Sequence, residues 1–195
     1  MKNRLIAKVV SVHAGAEEAL DKPACDSIEV ELDGVVGDRH RSFERNAWAG
    51  DDKQPEGTRR RNERQWSAVS VEELEAISQA MQLEATLDPA DVGANLCIDG
   101  LPVSGLPKGS LLEFPSGAVL VVEEYNPPCR DMGESLAGKY AMSSGERPAF
   151  SAFSKAARLS RGVVGVVDVP GVIRAGDEVT VTIYEHPPWL KNLKD

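Results

Sequence analysis

Residues 118–132 read A-V-L-V-V-E-E-Y-N-P-P-C-R-D-M. Val119, Leu120, Val121 and Val122 have the side chains of a β-strand, and Tyr125 continues the run. Asn126, Pro127 and Pro128 stop it. Proline offers no N–H to a neighbouring strand and forces the residue before it into extended geometry. The strand therefore ends abruptly and delivers Cys129 from a stiff lead-in, with Arg130 next in the chain. A guanidinium beside a thiol favours the thiolate, the form that attacks electrophiles and binds metals. The alternative is a loop cysteine that merely follows a turn.

Working outward, Pro115-Ser116-Gly117 is a tight turn. It pairs the central strand with the segment Gly105 to Phe114 as a hairpin. On the other side, Phe150, Phe153, Ala157 and Leu159 suggest a helix around Ser151 to Leu159, after a polar stretch beginning at Gly133. Val163 to Val169 is a strongly apolar strand, Pro170-Gly171 a turn, and Glu178 to Tyr184 the last strand. Nearer the N-terminus, Arg4 to Val12 and Ser27 to Val36 read as strands, the second with a turn at Asp33-Gly34. Trp66 to Val69 is a short strand. Ser70 and Glu73 then form a capping box for a helix whose apolar face carries Val71, Leu74, Ile77 and Met81. Gly93 to Ile98 is another short strand, with Cys97 as a small core residue. Many short strands and few helices predict an α+β fold, with a strand-dominated, mostly antiparallel, barrel-like core and two or three peripheral helices. Residues 1–188 are read as a single domain and 189–195 as a loosely held tail.

The segment from Arg41 to Gln65 is too long and too polar for an ordinary connection. Between Gly37 and Trp66 stand eight basic and six acidic residues, a local balance of +2 in a chain of net charge −9. The basic residues are mostly arginine, which suits bidentate contact with phosphate or carboxylate. A solvated loop with self-paired charges is the competing reading.

The overall negative charge argues against nucleic-acid binding. No run approaches the ~20 apolar residues of a membrane span, and the chain reads as cytoplasmic. Three cysteines, Cys25, Cys97 and Cys129, without CxxC spacing suggest neither a disulfide framework nor a zinc site. No G-x-S-x-G elbow occurs, and His13, His40 and His186 are too few and too scattered for a zinc hydrolase. His40, beside Arg39 and Arg41, is the best placed histidine for an anion contact or proton transfer. What survives is one thiolate, Cys129, and an arginine-rich anion receptor.

Four segments in this order resemble the MOSC domain family, named for the C-terminal domain of molybdenum cofactor sulfurases. They are Gly37-Asp38-Arg39-His40, Arg64 to Ser70 with the helix after it, Gly93-Ala94-Asn95-Leu96, and Asn126-Pro127-Pro128-Cys129. The stand-alone bacterial members are the most similar. The resemblance implies a β-rich, barrel-like fold and a molybdenum cofactor with Cys129 as the metal's thiolate ligand. It also implies reduction of N-hydroxylated compounds with electrons from a partner protein, as in some members. Other members imply a sulfur carrier with a persulfide on Cys129, fed by a sulfur-donor protein. A non-catalytic anion-binding module is the third possibility. By resemblance, Cys129 is the metal or sulfur site, and Gly37, Asp38, Asn95 and Asn126 line it; His40 joins Cys129 as a catalytic candidate through its place between Arg39 and Arg41. Arg39, Arg64, Arg130 and Arg161 are assigned to the anion by charge and neighbourhood. Ala94 stands where the family usually has glutamate, and the family's histidine-glycine-glycine segment is missing from 41–65. Pyridoxal phosphate, which belongs to the separate sulfurase domain, is not expected.

Overall fold

The computed structural model describes residues 3–16, 19–49 and 53–186. In chain order the strands and helices are β1 (Arg4–His13), β2 (Ala24–Cys25), β3 (Ser27–Glu31), β4 (Gly34–Val35), β5 (Glu44–Asn46), β6 (Arg59–Arg61), β7 (Trp66–Ser70) and α1 (Val71–Ala80). They continue with β8 (Leu96–Asp99), β9 (Leu111–Glu113), β10 (Val119–Tyr125), α2 (Arg130–Lys139), α3 (Phe150–Ala156), β11 (Val163–Val169), β12 (Gly171–Arg174) and β13 (Glu178–Thr182).

Strands β13, β9, β10, β11, β7, β8 and β1 pair in that order, and β1 pairs back to β13, so seven strands close a barrel. Closure leaves these strands without an open edge. Neighbours are antiparallel except β7 and β8, which run parallel. The reason is α1, which lies between them in sequence and carries the chain back for a parallel return. The barrel is therefore mixed, within the α+β, strand-dominated class that the sequence predicts. The hairpin of β9 and β10 forms as expected, with Leu120 opposite Leu112.

Alternation along each strand sends one set of side chains inward. Val9, Leu96, Ile98, Leu112, Leu120, Val163, Val179 and Val181 fill the barrel. A second cluster lies outside it, where Leu74 and Ile77 of α1, Met132 and Leu136 of α2 and Phe153 of α3 pack together. The capping box of α1 is complete: Ser70 Oγ accepts from Glu73 N, and Glu73 Oε2 accepts from Ser70 N.

Three expectations need correction. The polar stretch after Cys129 contains α2, which begins at Arg130. Gly133 permits it to pack: a Cβ there would lie 2.1 Å from Phe150 O, so only glycine lets α2 and α3 approach this closely. The segment 41–65 holds a small hairpin, with Glu44 opposite Arg61 and Asn46 opposite Arg59. Gly171 belongs to a strand, β12, which pairs with β3. The tail assigned to 189–195, with Pro187 and Pro188, lies outside the described residues. No described helix is long and apolar enough to cross a membrane.

Candidate functional site

One end of the barrel, the hairpin of β5 and β6, and the start of α2 enclose a cavity of ≈ 390 Å³. Cys129 stands at its wall, delivered by the two prolines and placed as the N-cap residue of α2. Its backbone is extended, with φ −111° and ψ 163°. The residue is half-buried and stands at the positive end of the helix dipole, with no hydrogen bond from its side chain to the first turn. Among the three cysteines it is the one that lines this cavity. Cys97 is in the core, where burial pushes its thiol up to about 12. Cys25 contacts the carbonyl of Pro23.

Four arginines line the same cavity: Arg39, Arg45, Arg64 and Arg161, of which Arg45 pairs with Glu63 at 2.6 Å. Arg64 donates to Asn126 Oδ1 at 2.6 Å, and its guanidinium lies 5.4 Å from the ring centre of Trp48. Burial, and then Arg161 nearby, lower its pKa to about 10. Arg161 donates to the carbonyl of Val92 at 3.1 Å, while its buried Nε finds no partner. Burial lowers the Arg161 pKa too. The two cations repel each other, and the buried Arg161 Nε has no protein acceptor, a strain that an anion between them would relieve. Arg39 is anchored through Ala19 O at 2.7 Å.

Beneath this wall lies a buried polar network. Asn95 Oδ1 accepts from Lys22 Nζ at 3.0 Å and from Ser67 N at 3.1 Å. Its Nδ2 donates to His13 O at 3.0 Å and to Asp38 Oδ2 at 2.8 Å. Lys22 Nζ also pairs with Asp38 Oδ2 at 2.8 Å, and both side chains are almost wholly buried. Asp38 Oδ1 accepts from His40 N at 3.0 Å and meets His40 Nδ1 at 3.2 Å. Burial alone would raise the Asp38 carboxyl, but the His40 and Lys22 contacts reverse this and hold it well below the usual carboxylate range. Burial lowers Lys22, with Asp38 opposing. Gly93 makes the approach of this strand possible. It has φ +68°, and a Cβ would lie 2.5 Å from Leu20 O.

The structure thus brings Cys129, His40, Arg39, Arg64, Asn95, Asn126 and Arg161 to one cavity. Asp38 sits below it as a support, and Gly37 is an exposed turn glycine outside the lining. Arg130 departs from expectation. Its Nε pairs with Glu134 at 2.7 Å one helical turn on, its guanidinium rests 5.1 Å from the Phe150 ring centre, and it does not line the cavity. The helix turns that side chain away from the pocket, so adjacency to Cys129 in sequence is lost in space. Ala94 is buried in the helical cluster and brings no carboxylate to the cavity. Residues that sequence reasoning missed are Lys22, Trp48, Asn62 and Ser67. Asn62 donates to His40 O at 2.8 Å and accepts from Arg64 N at 3.0 Å, fixing two of the site's loops. Nothing in Asp21-Lys22-Pro23 marks a buried lysine. No described group of three or more His, Cys, Asp or Glu side chains is placed to hold a metal ion.

The MOSC domain family model matches residues 34–180. A Bacillus subtilis (strain 168) protein, YuaD, named for metal-sulfur cluster biosynthesis, is 33% identical over 187 residues, 95% of each chain. The crystal structure of the YUAD protein from Bacillus subtilis superposes with a TM-score of 0.87 at 32% identity, covering 93% of this chain and 98% of that one. YiiM from Geobacillus stearothermophilus matches with a TM-score of 0.60 at 14% identity, covering 92% of this chain and 75% of its own, which shows a shared fold.

Proposed function

The chain belongs to the MOSC domain family, and from that premise we propose that it carries sulfane sulfur on Cys129 for the assembly of metal–sulfur centres. The observation that carries this reading is the setting of the thiol. Cys129 opens into a cavity whose wall holds Arg64 and Arg161, the latter with a buried Nε that finds no partner. A persulfide is an anion, and guanidiniums stabilise it by charge-assisted hydrogen bonds. The name of YuaD supports the same direction. The transfer balances without an outside oxidant. Cys129 thiolate attacks the terminal sulfur of a donor persulfide, R–S–SH. The Sγ–S bond forms as the donor's S–S bond breaks, and the electron pair leaves on R–S⁻. With Cys97 sealed in the core and Cys25 outside the cavity, no second thiol of the lining competes for the carried sulfur.

A second reading draws on Arg161, whose buried Nε lacks a partner. The residues present fit a molybdenum cofactor: a soft thiolate suits the metal, arginines suit the pterin phosphate, and the volume is of the size that holds a small molecule. Cys129 would ligate the metal, and Arg39, Arg64 and Arg161 would hold the phosphate beside Asn95 and Asn126. When bound, the cofactor supplies electron transfer, which suits reduction of N-hydroxylated compounds with a partner protein as electron donor.

One experiment separates the two. The wild type and Cys129→Ser are purified from a host that makes molybdenum cofactor. Both are assayed for molybdenum, for pterin and, by mass spectrometry, for sulfur on Cys129. The carrier reading expects persulfide on wild-type Cys129 and no stoichiometric metal. Stoichiometric molybdenum and pterin that disappear in Cys129→Ser would replace it with the cofactor reading.

A further inference from the structure

Sulfur transfer moves a proton as well as a sulfur atom, and the carrier reading leaves that proton unassigned. A donor that gives up its outer sulfur leaves as a thiolate and needs a proton. An acceptor arrives as a thiol and must lose one. Cys129 itself sits among cations, so the group that handles the partner's proton has to be elsewhere in the cavity.

His40 lines that cavity, and its ring is 43% exposed while the Asp38 side chain behind it is fully buried. Asp38 Oδ1 faces His40 Nδ1 at 3.2 Å. An ionised carboxylate can only accept, so Nδ1 carries the hydrogen and Nε2 holds the free lone pair. Nε2 makes no hydrogen bond to any described residue. Asp38 is fixed in turn: Lys22 and Asn95 occupy its other oxygen, each at 2.8 Å. This is the arrangement in which a buried acid orients an imidazole for acid–base work.

We infer that His40 is the general base and acid of sulfur transfer at this site, with Asp38, Lys22 and Asn95 as its positioning residues. The inference rests on the carrier reading. In delivery, Nε2 takes the proton of an acceptor thiol, R′–SH. The resulting thiolate attacks the outer sulfur of the Cys129 persulfide in its protonated form, Sγ–SH; R′–S–SH forms, carrying that hydrogen, and Cys129 leaves as thiolate. In loading, protonated His40 returns a proton to the departing R–S⁻. Each direction conserves sulfur, hydrogen and electrons and needs no redox partner. The charged groups around His40 are Asp38 and Arg39 on its own loop, Lys22 beneath, and Glu44, Arg45, Arg64, Cys129 and Arg161 across the cavity. The Asp38 contact raises the His40 pKa, but burial and Lys22 outweigh it and leave the net shift downward. The imidazole is therefore neutral, and a base, at neutral pH.

The test uses the intact protein loaded with glutathione persulfide and then mixed with glutathione across pH 5 to 9. Transfer is followed by mass spectrometry of Cys129. His40→Gln keeps a hydrogen-bonding side chain that does not titrate. It is expected still to load Cys129, though more slowly than the wild type because the departing thiolate must take its proton from water, and to deliver sulfur about 10²-fold more slowly at pH 7. Its pH profile should follow the acceptor's thiolate fraction alone, whereas the wild type loses extra rate as His40 protonates. Added imidazole should restore part of the rate in His40→Ala. Equal wild-type and His40→Gln rates at every pH would remove the role of His40 and leave the carrier reading standing. A wild-type profile with no limb beyond the acceptor's own overturns the role without any variant. A wild type that takes no sulfur from glutathione persulfide overturns the carrier reading, and the role of His40 with it.

Discussion

Two sets of ion pairs hold the cavity, and they work by different physics. The inner set is Lys22 with Asp38, at 2% and 0% side-chain exposure. The outer set centres on Glu123 of β10: Arg61 ties the β5–β6 hairpin to it at 2.7 Å, and Lys108, from the loop before β9, pairs with it at 2.6 Å, with cation exposures of 59% and 70%. The contact distances are alike. The difference is water. Outer cations keep much of their hydration, so forming or losing a pair changes little. Inner charges have given theirs up, and each is tolerable only while the other is present. The inner set fixes one geometry for Asn95 and His40; the outer set holds a wall that can yield.

The largest expected effect is in the inner set. Lys22→Met leaves the Asp38 carboxylate buried without its cation and should destabilise the fold by about 3–5 kcal/mol. Urea unfolding measures this. A cost below about 1 kcal/mol, typical of exposed pairs, would mean that the two regions do not differ as argued.

The same pair sets the acid limit. The folded-state value of Asp38 lies below its ordinary 3.8. A depressed carboxyl contributes stability that is present above the unfolded value and lost as pH falls through the folded one. Stability should therefore fall below pH 3.8, by about 1.4 kcal/mol for each unit of depression. Asp38→Asn should flatten that part of a curve of urea midpoint against pH. An unchanged slope would assign the acid limit to other carboxylates.

How much of this the sequence carried follows the same division. The central strand, its proline stop and the capped helix α1 were legible because each is a local pattern: β-branched runs, missing N–H groups, and a Ser-x-x-Glu box. Helix α2 was not. It contains Gly133 and Gly138, each costing about 1 kcal/mol in a helix, and it stands because Met132 and Leu136 pack into the second core. The resemblance to MOSC domains pointed to Cys129, His40 and Asn95, which meet in one cavity. Lys22 was invisible because its role comes from a partner 16 positions on, at Asp38, and another 73 on, at Asn95. Arg130 misled for the opposite reason: it is next to Cys129 in the chain, and the helix carries it away.

Arg161 stands between the two regimes. Among the described residues it is a buried cation without a carboxylate partner, bonded to the Val92 carbonyl. A group placed for a ligand is a burden when the ligand is absent. Arg161→Met should raise the melting stability by about 0.5–2 kcal/mol while weakening the hold on an anionic sulfur or cofactor at Cys129. Thermal unfolding and sulfur content on Cys129 measure the two halves. A variant that loses stability as well would make Arg161 a structural residue of the barrel end.

The smallest effect belongs to the outer set. Arg61→Ala should change global stability by less than about 1 kcal/mol, because the guanidinium is 59% exposed. Its local effect should still be visible. The hairpin brings Arg45 and Trp48 to the cavity wall and is tied to the barrel by the Arg61–Glu123 pair. Loosening it exposes Arg59 and Arg60 to trypsin by local opening, with the core intact. Cleavage within 41–65 should therefore be faster in Arg61→Ala. In the wild type, 0.5 M NaCl should speed it in the same direction, since salt screens exposed charges and leaves the Lys22–Asp38 pair largely unscreened. Cleavage that ignores both salt and substitution would mean that the hairpin is held by its own pairing, and that the wall of the cavity is as rigid as its floor.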